Sequence, residues 1–407
     1  MMKRDGSAGP APTPLAGIRV LELGTMIAGP VVATLLGDFG ADVIKIEQPD
    51  GGDPIRNIGP FCEGESLWWN VEGRNKKSVT LDLRQEEGQQ MLRQLVRHAD
   101  VLVENFRPGT MARWNVGYEQ LSQENPRLVM VSVSGYGQTG PYAEKPAFDR
   151  IALAFAGLLN ITGYADRAPV RPGVAMADYQ SALFGAFAAM LALFHRDARG
   201  GTGQHVDVSL FESVFRFTDI MVTAADKVGV KRARRGNLHF AAAPGDHFET
   251  CDGRYIVMTI SNNPLFAKLC EAMGQPALAK DERFATHDAR WKNIEVVNGM
   301  VGDWIKSMPV SDILGILEQH GLPHSLVFSV DDILADPHYG QRGSIATLEH
   351  PALGPLKMPA PTPRLGGTPA RAMEPAPALG RDNEAVYRGL LGLDEQAYAS
   401  LKARGAI

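Results

Sequence analysis

Ile18-Arg-Val-Leu-Glu-Leu23, Gly24-Thr-Met-Ile-Ala-Gly29, Pro30, then Val31–Phe39, Gly40 and Asp42-Val-Ile-Lys-Ile-Glu47 read in order as strand, turn, helix, stop and strand. The first run is rich in β-formers and ends at a glycine. Pro30 stands where a first helical turn accepts proline, and Val31–Phe39 carries helical apolar spacing. Gly40 is placed as a helix stop before the second short strand. A helix enclosed between two strands is a βαβ unit, which implies parallel pairing. Working outward, Glu86–His98 is an amphipathic helix with Met91, Leu92, Leu95 and Val96 on one side. Val101-Leu-Val-Glu104 and Leu128–Val133 supply two further strands. The first 135 residues therefore predict an α/β fold with a mainly parallel, Rossmann-like sheet.

From Ile151 to about Val222 the pattern turns helical, with an Ala-rich segment after Asp178. Between Gly236 and about Ser329 the style changes. A strand pair around Asp246–Ile260 turns at Cys251-Asp-Gly253, and helices follow at Leu265–Met273 and Ser311–Gln319, which predicts a second, smaller α+β domain. His338–Gly380 is rich in Pro and Gly and suits an extended segment wrapping a surface. Helices at Asn383–Leu390 and Glu395–Arg404 follow. No repeat of 20–50 residues is visible, which argues against a solenoid.

The 407 residues hold 41 Lys+Arg and 46 Asp+Glu, a net charge of −5, with 44% hydrophobic and 21% charged residues. That composition supports a sizeable core and excludes wholesale disorder. The only dense basic run is Lys231–Arg235, which reads as a solvated face, and without a long basic block nucleic acid is not the expected partner. Cys62, Cys251 and Cys270 are far apart and form no Cys-x-x-Cys pair, so neither a disulfide framework nor a thiolate zinc site is written, and a reducing compartment is expected. Residues 1–14 read as a disordered polar tail without a signal peptide's apolar segment. The most apolar stretch, Ala182–Phe194, is 13 residues long, short of the roughly 18 that suggest a membrane span. A soluble, cytoplasmic protein is expected.

Several segments carry residues suited to chemistry. Gly24–Gly29 occupies the place of a phosphate-binding turn but lacks the Gly-x-Gly-x-x-Gly pattern, which disfavours NAD and P-loop readings. Its position still matters, because ligands of open α/β sheets sit beyond the carboxyl ends of strands. Glu104-Asn-Phe-Arg-Pro-Gly109 ends the third strand. Asn105 offers an amide, Phe106 a flat face, and Arg107 and Arg113 charge for phosphate; Arg74-Asn-Lys-Lys77 and Arg84 add cations nearby. This suits a large anionic cofactor as well as an ordinary Pro-Gly turn. Asp178 precedes a long helix of small and apolar residues. Pattern alone leaves it either an N-cap or an ionised nucleophile. His320-Gly-Leu-Pro-His324 has the spacing of helical metal ligands, but the intervening Gly and Pro break the face, so no metal is expected. Ser132-Val-Ser134-Gly-Tyr-Gly lacks the full nucleophile-elbow pattern, and a hydrolase triad is disfavoured.

Taken together, Pro14–Ile18, Ala28-Gly-Pro30, Gly37–Glu47, Asn75-Lys-Lys-Ser78, Val103–Gly109, Ser134–Pro141, Arg171-Pro-Gly173 with Asp178, and Gly203–Asp207 resemble the class III CoA-transferase family, the formyl-CoA and carnitine CoA-transferase group. The motifs run in order from residue 14 to 207. The resemblance implies a large Rossmann-like domain with an inserted smaller α+β domain, in a homodimer of interlocked rings. The division is then a tail at 1–14, the first part of the large domain at 15–222, a linker and small domain at 223–337, and a C-terminal segment at 338–407 returning to the large domain.

The resemblance also implies a site. Its catalytic aspartate falls on Asp178. CoA contacts fall on Ile27, Ala28, Gln48, Leu81, Arg84, Asn105, Phe106, Arg107, Arg113, Lys145, Phe148 and Asp149. Coenzyme A and acyl-CoA are substrates, with no tightly bound cofactor, and a small carboxylic acid is the second substrate. Ile27 and Gln48 stand where formyl-CoA transferases carry Gln and Arg, and Ala241–Asp246 lacks their glycine run. These departures point away from formate–oxalate exchange. Pro169–Met176 resembles branches acting on succinyl-CoA and dicarboxylic acids. A rival is an α-methylacyl-CoA racemase of the same fold, but its proton-exchanging His would fall on Phe148, which exchanges none. A non-catalytic CoA-binding protein is the rival of a different class.

Overall fold

The computed structural model describes residues 13–407, so the tail expected at 1–14 lies almost wholly outside the described residues. The chain divides into two compact units. The first comprises the described residues up to 158 together with 171–229 and 343–407; the second comprises 159–170 and 230–342.

The first unit begins with β1 (Arg19–Glu22), α1 (Ala28–Asp38), β2 (Asp42–Glu47), β3 (Lys76–Thr80), α2 (Glu86–Val96), β4 (Val101–Glu104) and β5 (Val129–Ser134). It continues with α3 (Asp149–Phe155), α4 (Met176–Ala198) and β6 (His205–Ser209). The six strands form one sheet in the order β3-β2-β1-β4-β5-β6, and every pair is parallel. The order reverses between β1 and β4, so the loops leaving those strands diverge and open a crevice at their carboxyl ends.

Each face is covered by apolar packing. On one, Leu21, Ile44, Val79, Leu102 and Met130 pack with Met91, Leu92 and Leu95 of α2. On the other, α4 approaches α1 closely at Gly185, where a Cβ would stand 2.8 Å from a Val32 methyl and 3.5 Å from Val131. β3 is an outer strand whose Lys76-Lys-Ser opening conceals it in the sequence, which suggested an irregular stretch here. Lys76 is buried nonetheless, paired with Glu22 at 2.9 Å.

The second unit holds β7 (Gly245–Glu249), β8 (Tyr255–Thr259), α5 (Asn263–Ala272), α6 (Ile294–Lys306), α7 (Val310–Gln319) and β9 (His324–Leu326). The three strands are antiparallel in the order β9-β8-β7. The β7–β8 turn falls at Gly253, with φ +76°. Phe248, Ile256, Phe266, Leu269, Val301 and Leu317 form its core. In His320 and His324 the ring nitrogen Nδ1 meets a backbone carbonyl, of Ile316 and Leu322 respectively.

The segment expected to be extended contains a hairpin, β10 (Ile345–His350) paired with β11 (Gly354–Pro359). Beyond it, Asp382 and Asn383 accept hydrogen bonds from the amides of Ser78 and Thr80 at 2.8 Å, and the Tyr387 hydroxyl donates to the Thr80 carbonyl. These contacts close the outer edge of β3, which would otherwise offer unpaired backbone groups. The chain ends with α8 (Glu395–Ala403).

The apolar run of 13 residues belongs to a longer element than its sequence suggested. α4 has 23 residues and is long and apolar enough, by length and composition only, to cross a membrane, although its most apolar part is 44% buried within the chain. Its flanks, Met176–Ser181 and His195–Ala198, extend the helix because neither contains a helix breaker.

Candidate active site

Two cavities border the crevice. The first, about 50 Å³, is lined by residues including Gly24, Lys45, Gln48, Leu81, Phe106 and Trp114. The second, about 190 Å³, is lined by residues including Thr25, Ile27, Ala28, Asn105, Ser134, Phe148 and Asp178. Thr25 belongs to both. The structure thus brings Gln48, Leu81 and Phe106 to one cavity, and Ile27, Ala28, Asn105, Phe148 and Asp178 to the other.

The floor beneath these loops is ionic. Lys45 on β2 is fully buried and binds Glu22 at 2.7 Å, Asp53 at 2.7 Å and the Gly24 carbonyl at 2.9 Å. Asp53 accepts in turn from the backbone N–H of Met26 at 3.0 Å. Met26 has φ +67°, a conformation that a bulky side chain rarely adopts. Burial alone depresses the Lys45 ammonium, but Glu22 and Asp53 outweigh it and hold the group above its ordinary value. The network therefore fixes the β1–α1 loop in a conformation its own residues disfavour. Nothing in the sequence signalled it, since Glu22, Lys45 and Asp53 are far apart and unremarkable in type.

Asn105 acts differently from its sequence reading. Its carbonyl accepts from Thr25 N–H at 2.8 Å and its amide donates to Thr25 O at 2.9 Å. The side chain braces the β1 loop instead of standing free to read a ligand's ring edge. A Cβ on Gly24 or Gly29 would come within 3.2 Å of the Asn105 side chain, so this turn requires glycine for packing.

Asp178 is not an N-cap. Ala175 holds that position without a side-chain bond, and Asp178 sits in the first turn of α4. The capping comes from Asp149 at the start of α3, whose Oδ1 accepts from Ala177 N–H at 2.7 Å. Arg171 approaches the other Asp149 oxygen at 3.8 Å. Asp149 is thus occupied in holding the helix, while the half-buried Asp178 carboxylate makes no side-chain hydrogen bond and faces the larger cavity. Burial, reinforced by the nearby Asp149 charge, pushes the Asp178 carboxyl up to about 7. A carboxylate without partners and destabilised as an anion is a reactive oxygen nucleophile. In the same wall the Ser134 hydroxyl is buried without a partner.

The remaining expected contacts lie outside both linings. Arg84 is tied to Asp82 at 2.8 Å, and Arg113 donates to the Thr110 hydroxyl at 2.8 Å. Lys145 lies 3.7 Å over the Tyr142 ring, and Arg107 is exposed. Cation-rich loop chemistry suggested one cluster, whereas Arg84, Arg113 and Lys145 make local contacts.

The fold is an open parallel sheet with cavities at its switch point, one of them lined by the unpaired Asp178 carboxylate. The chain belongs to CoA-transferase family III, whose family model matches residues 15–383. It is 42% identical over 397 residues to the succinyl-CoA–D-citramalate CoA-transferase of Chloroflexus aurantiacus, covering 97% of this chain and 98% of that one. It is 40% identical over 399 residues to the succinyl-CoA–L-malate CoA-transferase beta subunit of the same organism, covering 97% and 98%. Among solved structures, a CAIB/BAIF family protein from Brucella suis superposes with TM-score 0.83 at 35% identity, covering 93% of this chain and 99% of that one. The protein is a CoA-transferase that moves CoA from an acyl-CoA donor to a free carboxylic acid.

Proposed function

We propose that transfer runs through Asp178 as a covalent carrier, with succinyl-CoA as donor and a dicarboxylic acid as acceptor. The observation that carries the reading is the unpaired Asp178 carboxylate in the larger cavity. An Asp178 oxygen attacks the donor thioester carbonyl, the C–S bond breaks, and CoA thiolate leaves a mixed anhydride. The thiolate then attacks the Asp178 carbonyl carbon, breaking its bond to the donor acid and giving an aspartyl-CoA thioester. The acceptor carboxylate attacks that thioester, and the displaced thiolate attacks the acceptor's carbonyl in the resulting anhydride. This releases acceptor acyl-CoA and restores the Asp178 carboxylate. No step gains or loses a proton overall, and the thioester's energy is conserved throughout. The succinyl and dicarboxylate assignment is supported by the names of the two Chloroflexus relatives. Screening dicarboxylates with succinyl-CoA and identifying products by mass tests it: transfer only to monocarboxylates contradicts it.

The nucleophile must be ionised, so kcat/KM for acyl-CoA rises with pH and reaches half its plateau near 7. Asp149→Asn keeps an oxygen acceptor for Ala177 but removes the charge that helps raise Asp178. Its acidic limb moves to lower pH. A pH–rate profile from 5 to 9 checks this, and an unmoved limb contradicts it.

The CoA thioester lies along the loops after β1, β2 and β4, in the Rossmann-like manner that strand order 3-2-1-4-5-6 supports. The working form is a homodimer of interlocked chains in a reducing, cytoplasmic setting. Leu183, Phe187, Met190, Leu191 and Phe194 form one face of α4 and are 40–58% exposed in the single chain, an apolar stripe that a second copy would cover. Cys62, Cys251 and Cys270 are unpaired, which suits such a compartment. Sedimentation gives twice the chain mass for the wild type and the single mass for Phe187→Glu. A monomeric wild type at micromolar concentration contradicts the dimer.

A further inference from the structure

Glu104 ends β4 and takes no part in the chemistry at Asp178. One of its oxygens, Oε2, accepts from the Phe106 backbone N–H at 2.7 Å. Ser132 is the neighbour of Glu104 in register on β5, and Ser132 Oγ lies 2.9 Å from Nε2 of His205. The sheet register explains the alignment. Glu104 pairs with Ser132 and Ser132 with Asp207, on three adjacent strands at their carboxyl ends. Glu104 and Ser132 are 4% and 1% exposed, while His205 reaches solvent on β6 and stacks on Tyr118 at 5.4 Å.

Counting protons orders the chain. An ionised carboxylate only accepts, so a hydrogen bond between Glu104 and its register neighbour Ser132 uses the hydroxyl's single proton. Its oxygen is then the acceptor for His205, which must carry a proton on Nε2. Burial pushes the Glu104 carboxyl up to about 7, with the Ser132 and Phe106 hydrogen bonds restraining the rise and Asp207 adding to it. Above that value the ordered chain is intact. Its last link is the amide of Phe106, which lines the smaller cavity, next to Asn105, which braces Thr25 between the two cavities.

We propose that Glu104 is a positioning residue for the CoA thioester: its carboxylate, ordered by Ser132 and His205, fixes the Asn105–Phe106 strap on which the substrate lies. The proposal rests on the reading that CoA follows the loops after β1, β2 and β4. It adds that their preorganisation comes from a buried carboxylate and not from the ligand.

The test uses the full-length enzyme at pH 8. Glu104→Ala raises KM for acyl-CoA about tenfold and leaves kcat within about threefold, because binding and not the attack by Asp178 is affected. Glu104→Gln restores KM to within about threefold of wild type, since its carbonyl still accepts from Phe106. Its amide, however, donates to Ser132, so the Ser132 proton turns to His205 and the ring changes from the Nε2–H to the Nδ1–H tautomer. Histidine ring ¹⁵N shifts report that change even if the alanine variant does not fold. An unaltered KM in Glu104→Ala, a loss confined to kcat, or the same His205 tautomer in wild type and Glu104→Gln overturns the proposal. Phe106→Ala separates the two readings. If it leaves KM unchanged, the placement of CoA is wrong. If it raises KM while Glu104→Ala does not, only the positioning role fails.

Discussion

Asp178→Ala lowers kcat for CoA transfer by at least about a thousandfold while acyl-CoA still binds within about threefold of the wild-type affinity. The carboxylate makes no structural hydrogen bond, so its removal takes away the proposed nucleophile without dismantling the helix, which Asp149 caps independently. The isosteric Asp178→Asn is equally inactive and more stable than the wild type at high pH. The sign follows from the raised carboxyl. In the unfolded chain it ionises near the ordinary 3.8, but in the folded protein only near 7. Ionisation therefore costs the folded state nothing below about 4, progressively more between 4 and 7, and a constant amount above 7. Allowing for the partial exposure of Asp178, Asp178→Asn gains on the order of 1–2 kcal/mol at pH 8, fading towards pH 4. Thermal unfolding of the pair at pH 8 and pH 5 measures it. An asparagine variant less stable than the wild type at pH 8 contradicts the environment assigned to this carboxylate.

Lys45→Met produces the largest loss of stability. The ammonium is enclosed by Glu22 and Asp53 with no solvent exposure on its side chain. Lys76 also contacts Glu22 but not Asp53, so methionine leaves the Asp53 carboxylate buried beside no cation. Breaking a buried pair on one side costs about 3–5 kcal/mol, or roughly 10 °C in Tm for a unit of this size. The damage also reaches the site, because Lys45 donates to Gly24 and Asp53 accepts from Met26. Adding Asp53→Asn to Lys45→Met recovers part of the loss by removing the orphaned charge. Scanning calorimetry of the single and double variants checks both statements. A Tm within about 2 °C of wild type for Lys45→Met contradicts the role given to this network.

The parallel sheet was legible because β1, β2, β4 and β5 are short apolar runs bounded by glycine or charge, and α2 shows its apolar face openly. β3 was not, since its opening lysines are satisfied by partners more than fifty residues away in Glu22 and more than thirty in Asp42. The five-residue β6 was also missed: its first three residues, His205-Val-Asp207, alternate polar and apolar and remain partly exposed. In the site, Asp178 stood out only through its place among several ordered motifs. Its position within the first turn of α4, and the capping by Asp149, depend on α3 and α4 meeting in space. Asn105 and Arg84 show what sequence leaves unseen: the first also braces Thr25 and the second also pairs with Asp82. Local pattern reveals what a residue can do, and packing decides which partner it finds.

The central claim is that CoA is carried on Asp178. The most direct measurement is to incubate the enzyme with acyl-CoA without acceptor, quench in acid, and map the peptide spanning Asp178 by mass spectrometry. The predicted result is an adduct of acyl or CoA mass on Asp178, lost on hydroxylamine treatment and absent from Asp178→Asn. An unmodified Asp178 peptide in enzyme that still exchanges CoA, together with full activity in Asp178→Asn, would contradict it.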